Sequence, residues 1–347
     1  MTNATAVKLG TPKIVNGLAD AVFPAMAMLA GMKLELFTPL KDGPLTTEEI
    51  AGELGVPPRQ LGPLLYALVE ANLLTVQNGR FSNTDEAAQF LVKCAPGYVG
   101  ARHLSLSRQW SGLVKTADSI RSDSPQARLD FSAMPPEELD NFYSGSYTAA
   151  LAAGRELAER YDFSAYTKLV DVAGGSGGVA VGIVEACPDI QATIVELPST
   201  IPHTQRYLDA AGASDRVGVH GANVVEGPFP GSYDMAVLRN IIQVLSAEHA
   251  QRALRHVYQA MEPGGTIFIL GTILDDSRLT PSYAVKSNLT YLNIYDDGRA
   301  YTEGEYRDWL EDAGFVGFER VVVQDGTSII KAQKQLESDC IGPQGRR

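Results

Sequence analysis

The spacing of apolar residues changes rhythm once along the chain, near residues 155–168. Before that point the period is helical. Residues 21–40 carry Met28, Leu29, Met32, Leu36 and Phe37 at intervals that predict one buried helical face. Thr46-Thr47-Glu48-Glu49 reads as a capping box, and the helix it opens closes at residues 52–55, where glycines stand. After Pro57-Pro58 a second helix is predicted over residues 59–71, with Leu61, Leu64, Leu65, Leu68 and Val69 on one side. Leu73-Leu74-Thr75-Val76, the turn Gln77-Asn78-Gly79 and Arg80-Phe81-Ser82 then predict a hairpin. Helix, turn, helix and hairpin in that order spell a winged helix. A polar break over residues 122–136 precedes a long helix that is entered through residues 141–147 and runs to Arg160.

After the change of rhythm, strands alternate with helices. Strands are predicted at 168–172, 192–196, 217–220, 235–238 and 266–270, with helices at 178–186, 200–211 and 246–261. Such alternation implies a parallel sheet with right-handed crossovers. The end departs from it: a helix at 303–313, a strand at 317–323, the turn Asp325-Gly326 and a strand at 327–332, which predicts one antiparallel strand. The expected organisation is a mostly helical winged-helix domain at 1–110, a helical linker contributing to a substrate pocket at 111–160, an α/β domain with a doubly wound sheet at 161–335, and a disordered tail at 336–347.

Composition narrows the classes. The chain has 347 residues, 45% hydrophobic and 20% charged, which suits a two-domain globular protein. A formal charge of −12 argues against nucleic acid as partner. The would-be recognition helix of the winged helix carries Arg59 as its only basic residue, so a structural role in dimerisation or as a lid is expected instead of DNA reading. Three scattered cysteines, Cys94, Cys187 and Cys340, fit a reducing cytoplasm and predict neither a disulfide framework nor a metal site. No secretory signal is read at the start, and the longest apolar run, residues 21–30, is too short to predict a membrane span.

Leu169-Val170-Asp171-Val172-Ala173-Gly174-Gly175-Ser176-Gly177-Gly178 carries the most chemistry. An apolar strand runs into a glycine-rich turn that opens a helix, so a ligand can approach the backbone closely. Flavin, nicotinamide and other adenosine cofactors all use such loops. Here Asp171 precedes the glycines, where it can meet an ammonium group or order the loop, and Glu196 ends the next strand, placed for two ribose hydroxyls. Ala222, Asn223 and Val224 follow the third strand, where an amide can meet an adenine edge and Val224 its face. No basic residue stands ready to neutralise a pyrophosphate. S-adenosylmethionine (SAM), an adenosine carrying an amino acid, fits better than a dinucleotide.

From about residue 15 to residue 333 the chain resembles the class I SAM-dependent O-methyltransferases of the plant caffeate and bacterial polyketide type, which join a winged-helix domain to a Rossmann-like one. The family's DVGGGTG stands as Asp171 to Gly177 with Ala173 for the first glycine. Its DLP is Glu196-Leu197-Pro198, its GDMF is Ala222-Asn223-Val224-Val225, and the basic residue after its fourth strand is Arg239. The resemblance implies that SAM is held by Asp171, Gly174, Gly175, Gly177, Glu196, Leu197, Asn223, Val224 and Arg239, that S-adenosylhomocysteine (SAH) is released, and that the protein is a homodimer acting on a small molecule.

The likeness fails where the family keeps a histidine as general base. Gln243 stands in its place, Val244 replaces the aspartate beside it, and Gly271 and Ala300 stand at the positions of the acids that orient the base. Glutamine cannot take a proton at neutral pH, and a general base is worth about 10²–10⁴-fold. His203, His249 and His256 read as packing or surface residues. Three routes stay open: an acceptor that needs no deprotonation, a base from a tyrosine or from Asp296 or Asp297, or a fold retasked to bind SAM without transfer. The first needs the fewest unseen residues. It favours S-methylation of a thioether of the 4-methylthio-2-hydroxybutyrate type, the task of the family's S-methyltransferases of dimethylsulfoniopropionate synthesis, with C- or O-methylation of an aromatic as the alternative. A forming sulfonium is best walled by aromatic rings and neutral oxygens. Tyr143, Tyr147, Tyr291 and Tyr295 are the expected rings, Asn288 and Gln243 the neutral partners, and Gln243 and Tyr147 the positioning pair. Arg108 or Arg299 is the cation an acceptor carboxylate would want. A ligand-sensing winged-helix regulator is the reading from another class.

Overall fold

The computed structural model describes residues 10–336 except 94, 108, 131 and 132, so the expected tail beyond 336, Arg108 and the first nine residues lie outside it. Contacts divide the chain into two compact units that meet at Trp110 and Ser111, and residues 111–160 go with the second.

The first unit contains α1 (Lys13–Asp20), α2 (Val22–Lys33), a 3₁₀ turn (Pro39–Asp42), β1 (Leu45–Thr46), α3 (Thr47–Leu54), α4 (Pro58–Glu70), β2 (Leu74–Gln77), β3 (Arg80–Asn83), α5 (Asp85–Phe90) and α6 (Gly100–Ser107). The capping box forms as its sequence requires: Glu49 N–H donates to Thr46 Oγ1 at 3.2 Å and Thr46 N–H to Glu49 Oε2 at 2.8 Å. Arg80 of the hairpin donates to the same carboxylate at 2.9 Å and ties wing to helix. Asn78 and Gly79 both take positive φ, the conformation of a tight hairpin turn. The three strands pair in the order β1-β3-β2 over a core of Leu36, Phe37, Leu65, Leu68 and Phe81.

Two expectations need correction here. Residues 21–40 are not one helix. The helix ends at Lys33, Glu35 turns left-handed (φ 54°), and Leu36 N–H returns to Gly31 O at 2.9 Å, a Schellman closure that drops Leu36 and Phe37 into the core. Conversely, α1 and α2 run nearly end to end, and Lys13–Lys33 is long and apolar enough to cross a membrane by length and composition. Little of it is buried within the chain: Ile14, Val15, Leu18 and Phe23 are each at least 67% exposed.

After α7 (Trp110–Leu113), the second unit holds α8 (Thr116–Ser122), α9 (Pro136–Arg160), β4 (Lys168–Val172), α10 (Gly178–Ala186), β5 (Gln191–Glu196), α11 (Ile201–Ala211), β6 (Val217–Gly221) and β7 (Tyr233–Arg239). There follow a 3₁₀ turn (Ile242–Val244), α12 (Ala247–Ala260), β8 (Met261–Gly271), α13 (Ser282–Ile294), α14 (Glu303–Ala313), β9 (Phe315–Val322) and β10 (Ser328–Lys334). Seven strands lie in the order β6-β5-β4-β7-β8-β10-β9, all parallel except β10, which runs antiparallel to both neighbours. β4 is buried from Leu169 to Val172, as a central strand covered on both faces must be. Strand order reverses between β4 and β7, and in such sheets ligands bind outside the carboxyl ends at that switch point.

α9 lies against α10 with no room for side chains between them. A Cβ on Gly178 would stand 2.8 Å from that of Ala150 and 2.9 Å from Leu151 N, one on Gly154 would collide with Val179 O, and one on Gly182 with Leu151 O. Gly182→Ala should therefore force the helices apart and cost on the order of 1–3 kcal/mol, lowering the melting temperature by about 2–4 °C per kcal/mol. An unchanged melting temperature by calorimetry would contradict this close approach.

Candidate functional site

The turn after β4 is left-handed at Ala173 (φ 55°), Gly175 (φ 57°) and Gly177 (φ 77°). Space as well as conformation demands the glycines. A Cβ at Gly174 would lie 2.8 Å from the Asp171 carboxyl, one at Gly175 2.8 Å from the Tyr143 ring, and one at Gly177 2.8 Å from Ile194 Cδ1. Ala173 carries its Cβ in the left-handed region, at a cost of roughly 1–2 kcal/mol, and its N–H is held by Val195 O at 2.7 Å.

Asp171 is fully buried under this turn. Its Oδ2 accepts from Ala180 N at 3.2 Å, which fixes the first turn of α10, while Oδ1 has no hydrogen-bond partner among the described residues. Burial pushes its pKa up to about 7, against the pull of nearby Arg239. Arg239 is itself largely buried beside Asp171, Tyr283 and Asp325. A buried carboxylate with one oxygen unpaired is a site for a cation or donor. Glu196, 7% exposed, accepts from Gly175 N at 2.9 Å and Leu197 N at 2.8 Å. A carboxylate offers about four acceptor positions, so two remain for a pair of vicinal hydroxyls. Tyr143 reaches over from α9 and lies beside Glu196 and Thr200; burial, then the Glu196 charge, raises its phenol pKa, so it stays neutral. Asn223 Oδ1 folds back on Val225 N at 3.1 Å, and Ala222 N–H donates to Glu196 O at 2.9 Å. The Val224 side chain sits in the core and its carbonyl holds His256 Nδ1. Asp171 and Glu196 thus keep open acceptor positions beside a glycine turn, whereas Val224, expected to face an adenine, is packed into the core.

The second cluster lies past the end of β7. Asn240 is left-handed (φ 58°), and its Oδ1 accepts from Gln243 Nε2 at 3.1 Å, holding the 3₁₀ turn. Gln243 is 3% exposed, faces the Tyr291 hydroxyl, and lies so close to Gly271 that a Cβ there would meet its Oε1 at 3.1 Å. Tyr291 pairs with Thr272 Oγ1 at 2.8 Å, and burial pushes its pKa up to about 12. Tyr295 stands 5.4 Å away, ring to ring, and burial raises its pKa too. Among the described residues, the side-chain hydrogen-bond partners of Gln243 are the Asn240 amide and the Tyr291 hydroxyl, both neutral. Asn288 is tied down, its Oδ1 accepting from Ala300 N at 2.9 Å.

The structure thus brings Gln243, Tyr291 and Tyr295 together, and Tyr143 to the glycine turn. Tyr147 stacks on Tyr207 of α11 (5.1 Å, 21°). Tyr295 lies just past the end of α13 and not on it. Arg299 is occupied by Glu305 at 3.0 Å, and Asp296 by Arg128 at 2.7 Å. Thr272 and the Asn240 side chain were missed from sequence; only the asparagine at a strand end hinted at a left-handed turn.

The chain matches the model of the O-methyltransferase domain over residues 129–316 and that of the O-methyltransferase dimerisation domain over 17–93. Among curated relatives, the 3-hydroxy-5-methyl-1-naphthoate 3-O-methyltransferase of Streptomyces sahachiroi is 28% identical over 308 residues, covering 87% of this chain and 89% of the relative. The L-tyrosine C(3)-methyltransferase of Streptomyces lavendulae is 28% identical over 323 residues, covering 88% and 87%. The solved structure of PigF with SAH has a TM-score of 0.78 at 24% identity, covering 94% of this chain and all of that one.

The raised pKa of Asp171 has a sign. Between its ordinary value of 3.8 and about 7 the folded chain keeps a proton that the unfolded chain has lost, so this contribution is full at acid pH and disappears as pH rises through about 7. Asp171→Asn keeps an acceptor for Ala180 N without the charge. The unliganded variant should gain stability relative to wild type as pH rises from about 4 to about 8, by an amount on the order of 4 kcal/mol. Melting curves that stay parallel across that range would contradict a buried, unpaired carboxylate.

Proposed function

The chain belongs to the O-methyltransferase family, and from that premise we propose that it methylates a small molecule without a general base, using SAM and releasing SAH. It is a SAM-dependent methyltransferase. When bound, SAM supplies an electrophilic methyl group on a positively charged sulfur. The chain's part is to hold and orient. Asp171 offers its free oxygen to the ammonium, Glu196 its remaining lone pairs to the ribose, Leu197 and Asn223 their neighbourhood to the adenosine, and Arg239 steadies the Asp171 charge. Gly174, Gly175 and Gly177 let the backbone close in, and Tyr143 covers the turn and keeps water out.

The observation that carries the reading is the neutrality around Gln243. Its amide, the Asn240 amide, the Thr272 hydroxyl and a Tyr291 phenol with a pKa of about 12 can hydrogen-bond an acceptor but cannot take its proton near pH 7. The attacking atom must already be nucleophilic when bound, and alignment supplies the rate. An electron-rich aromatic meets that need, through a ring carbon or an oxygen ionised before binding, and the names of the naphthoate and tyrosine methyltransferases describe aromatic acceptors. The adjoining Tyr291 and Tyr295 rings favour a second reading, the thioether whose product is a cation, since each well-placed ring is worth about 0.5–2 kcal/mol to a positive charge. Neither of those two relatives is named for a sulfur acceptor.

From Leu18 onward the exposed apolar face of α1 and α2 lies within the dimerisation-domain match, and a second copy of the chain is its proposed cover, in a cytoplasmic homodimer. Replacing Leu18 and Phe23 together by Asp should yield monomers in sedimentation. Unchanged dimers, or wild-type chains that float with lipid vesicles, would contradict that assignment.

Incubation with methyl-labelled SAM and a panel of phenols, aromatic amino acids, amines and thioethers tests the activity. Label should pass to an electron-rich aromatic, with a thioether as the second outcome. Gln243→Ala should slow transfer by less than about 10²-fold, as lost positioning does, whereas a loss beyond about 10⁴-fold would mean that Gln243 takes part in proton transfer. SAH binding without transfer to any acceptor would favour a fold retasked away from catalysis.

A further inference from the structure

Glycine packing, with the Arg155–Glu185 ion pair beside it, anchors the rear of α9. Its rear half is locked onto α10 through Gly154, Gly178 and Gly182, where no side chain fits. Its front turns reach forward over the cofactor turn, and residues 140, 143 and 147, spaced to share one face, all meet the far side. Tyr143 covers Gly175. Tyr147 stacks on Tyr207. Asp140, one turn ahead of Tyr143, accepts from Arg206 Nη2 of α11 and is in hydrogen-bond contact with His203 Nδ1, with Arg206 Nη2 also 2.6 Å from His203 Nδ1.

Arg206 can only donate and Asp140 can only accept, so the Arg206–Asp140 ion pair is fixed in sense, while the part His203 Nδ1 plays between them follows its tautomer. His203 is 9% exposed at its side chain, against 38% for Asp140, so the histidine is set in α11 and the aspartate is the movable partner. The hydrogen bond with His203, and then that with Arg206, holds the Asp140 carboxyl below its usual range, which keeps it charged at every working pH. The same helix α11 grips the turn from the other side: Thr204 Oγ1 donates to Gly175 O at 2.6 Å. Gly175 is therefore clasped between Thr204 below and Tyr143 above, and the Asp140 cluster is the charged tie between the two helices that carry them.

We propose that Asp140, through His203 and Arg206, is a positioning residue that latches the front of α9 over the cofactor turn and so sets how fast the adenosyl cofactor and its product leave. The latch rests on the reading of this turn as the SAM site. It differs from the ligands of that site in touching no part of the cofactor; its effect passes entirely through Tyr143. With the tie cut, the front of α9 keeps the Tyr147–Tyr207 stack and the Tyr143–Thr200 contact but loses its charged link to α11, and Tyr143 uncovers Gly175 more often.

The test is the release rate of SAH from the full chain, by stopped-flow or competition, for wild type, Asp140→Ala, Asp140→Asn and Arg206→Ala. Asp140→Ala should release SAH about tenfold faster and raise the KM for SAM in proportion, leaving the KM for the acceptor and the melting temperature of the unliganded chain unchanged. Asp140→Asn, which keeps an acceptor oxygen but no charge, should fall between Ala and wild type, and Arg206→Ala should lie closer to wild type. If wild type does not bind SAH, the cofactor reading fails and the latch with it. If wild type binds SAH and both Asp140 variants release it at the wild-type rate, the latch alone fails. Slower turnover with a lowered melting temperature and an unchanged KM for SAM would make Asp140 a merely structural residue and would also overturn the proposal.

Discussion

The carboxylate of Asp171 is buried beneath a turn that has no space for side chains, and much of the second unit is arranged around keeping it there. β4 must be central and covered on both faces to bury it, and β7 must pair on the side of β4 away from β5 for the turn to open at the point where strand order reverses. Asp171 accepts one amide from α10 and leaves its other oxygen unpaired, so the unliganded chain carries an electrostatic cost that a bound cation removes. Ala173 adds strain in the same turn. Costs of this kind persist where surrounding packing over-determines the conformation, and here the glycine-spaced contact of α9 with α10 does so.

The two sides of the crevice differ in charge. On the proposed cofactor side, Asp171 and Glu196 are buried carboxylates, and Asp171 feels the charges of both Glu196 and the part-buried Arg239. On the proposed acceptor side, Gln243, Asn240, Thr272 and Tyr291 form a neutral hydrogen-bonded group. A neutral wall orients an acceptor and tolerates charge redistribution, yet it moves no proton. The division assigns activation of the methyl group to the cofactor and places the demand for nucleophilicity on the acceptor itself.

Much of this was legible in the sequence wherever the signal was local. The capping box at Thr46 and Glu49, the turn at Asn78-Gly79, the strand ahead of Gly174 and the antiparallel finish after Asp325-Gly326 each depend on residues a few positions apart. What escaped was non-local or uncoded. Glu35 closes α2 in a conformation usually left to glycine, so residues 21–40 read as continuous. Tyr147 and Tyr207 are 60 residues apart, and only the crossing of α9 over α11 reveals their pairing. His203 read as a packing residue because nothing in its own helix shows Asp140. Apolar run length concealed that α1 and α2 continue end to end.

The central claim is that methyl transfer here involves no proton removal by the protein. The pH dependence of kcat at saturating SAM and acceptor tests it most directly. The neutral cluster around Gln243 predicts a rate that varies by less than about threefold from about pH 6 to about pH 9. A rate climbing about tenfold per pH unit across that range would show that a proton must leave before the methyl moves, and would contradict the account.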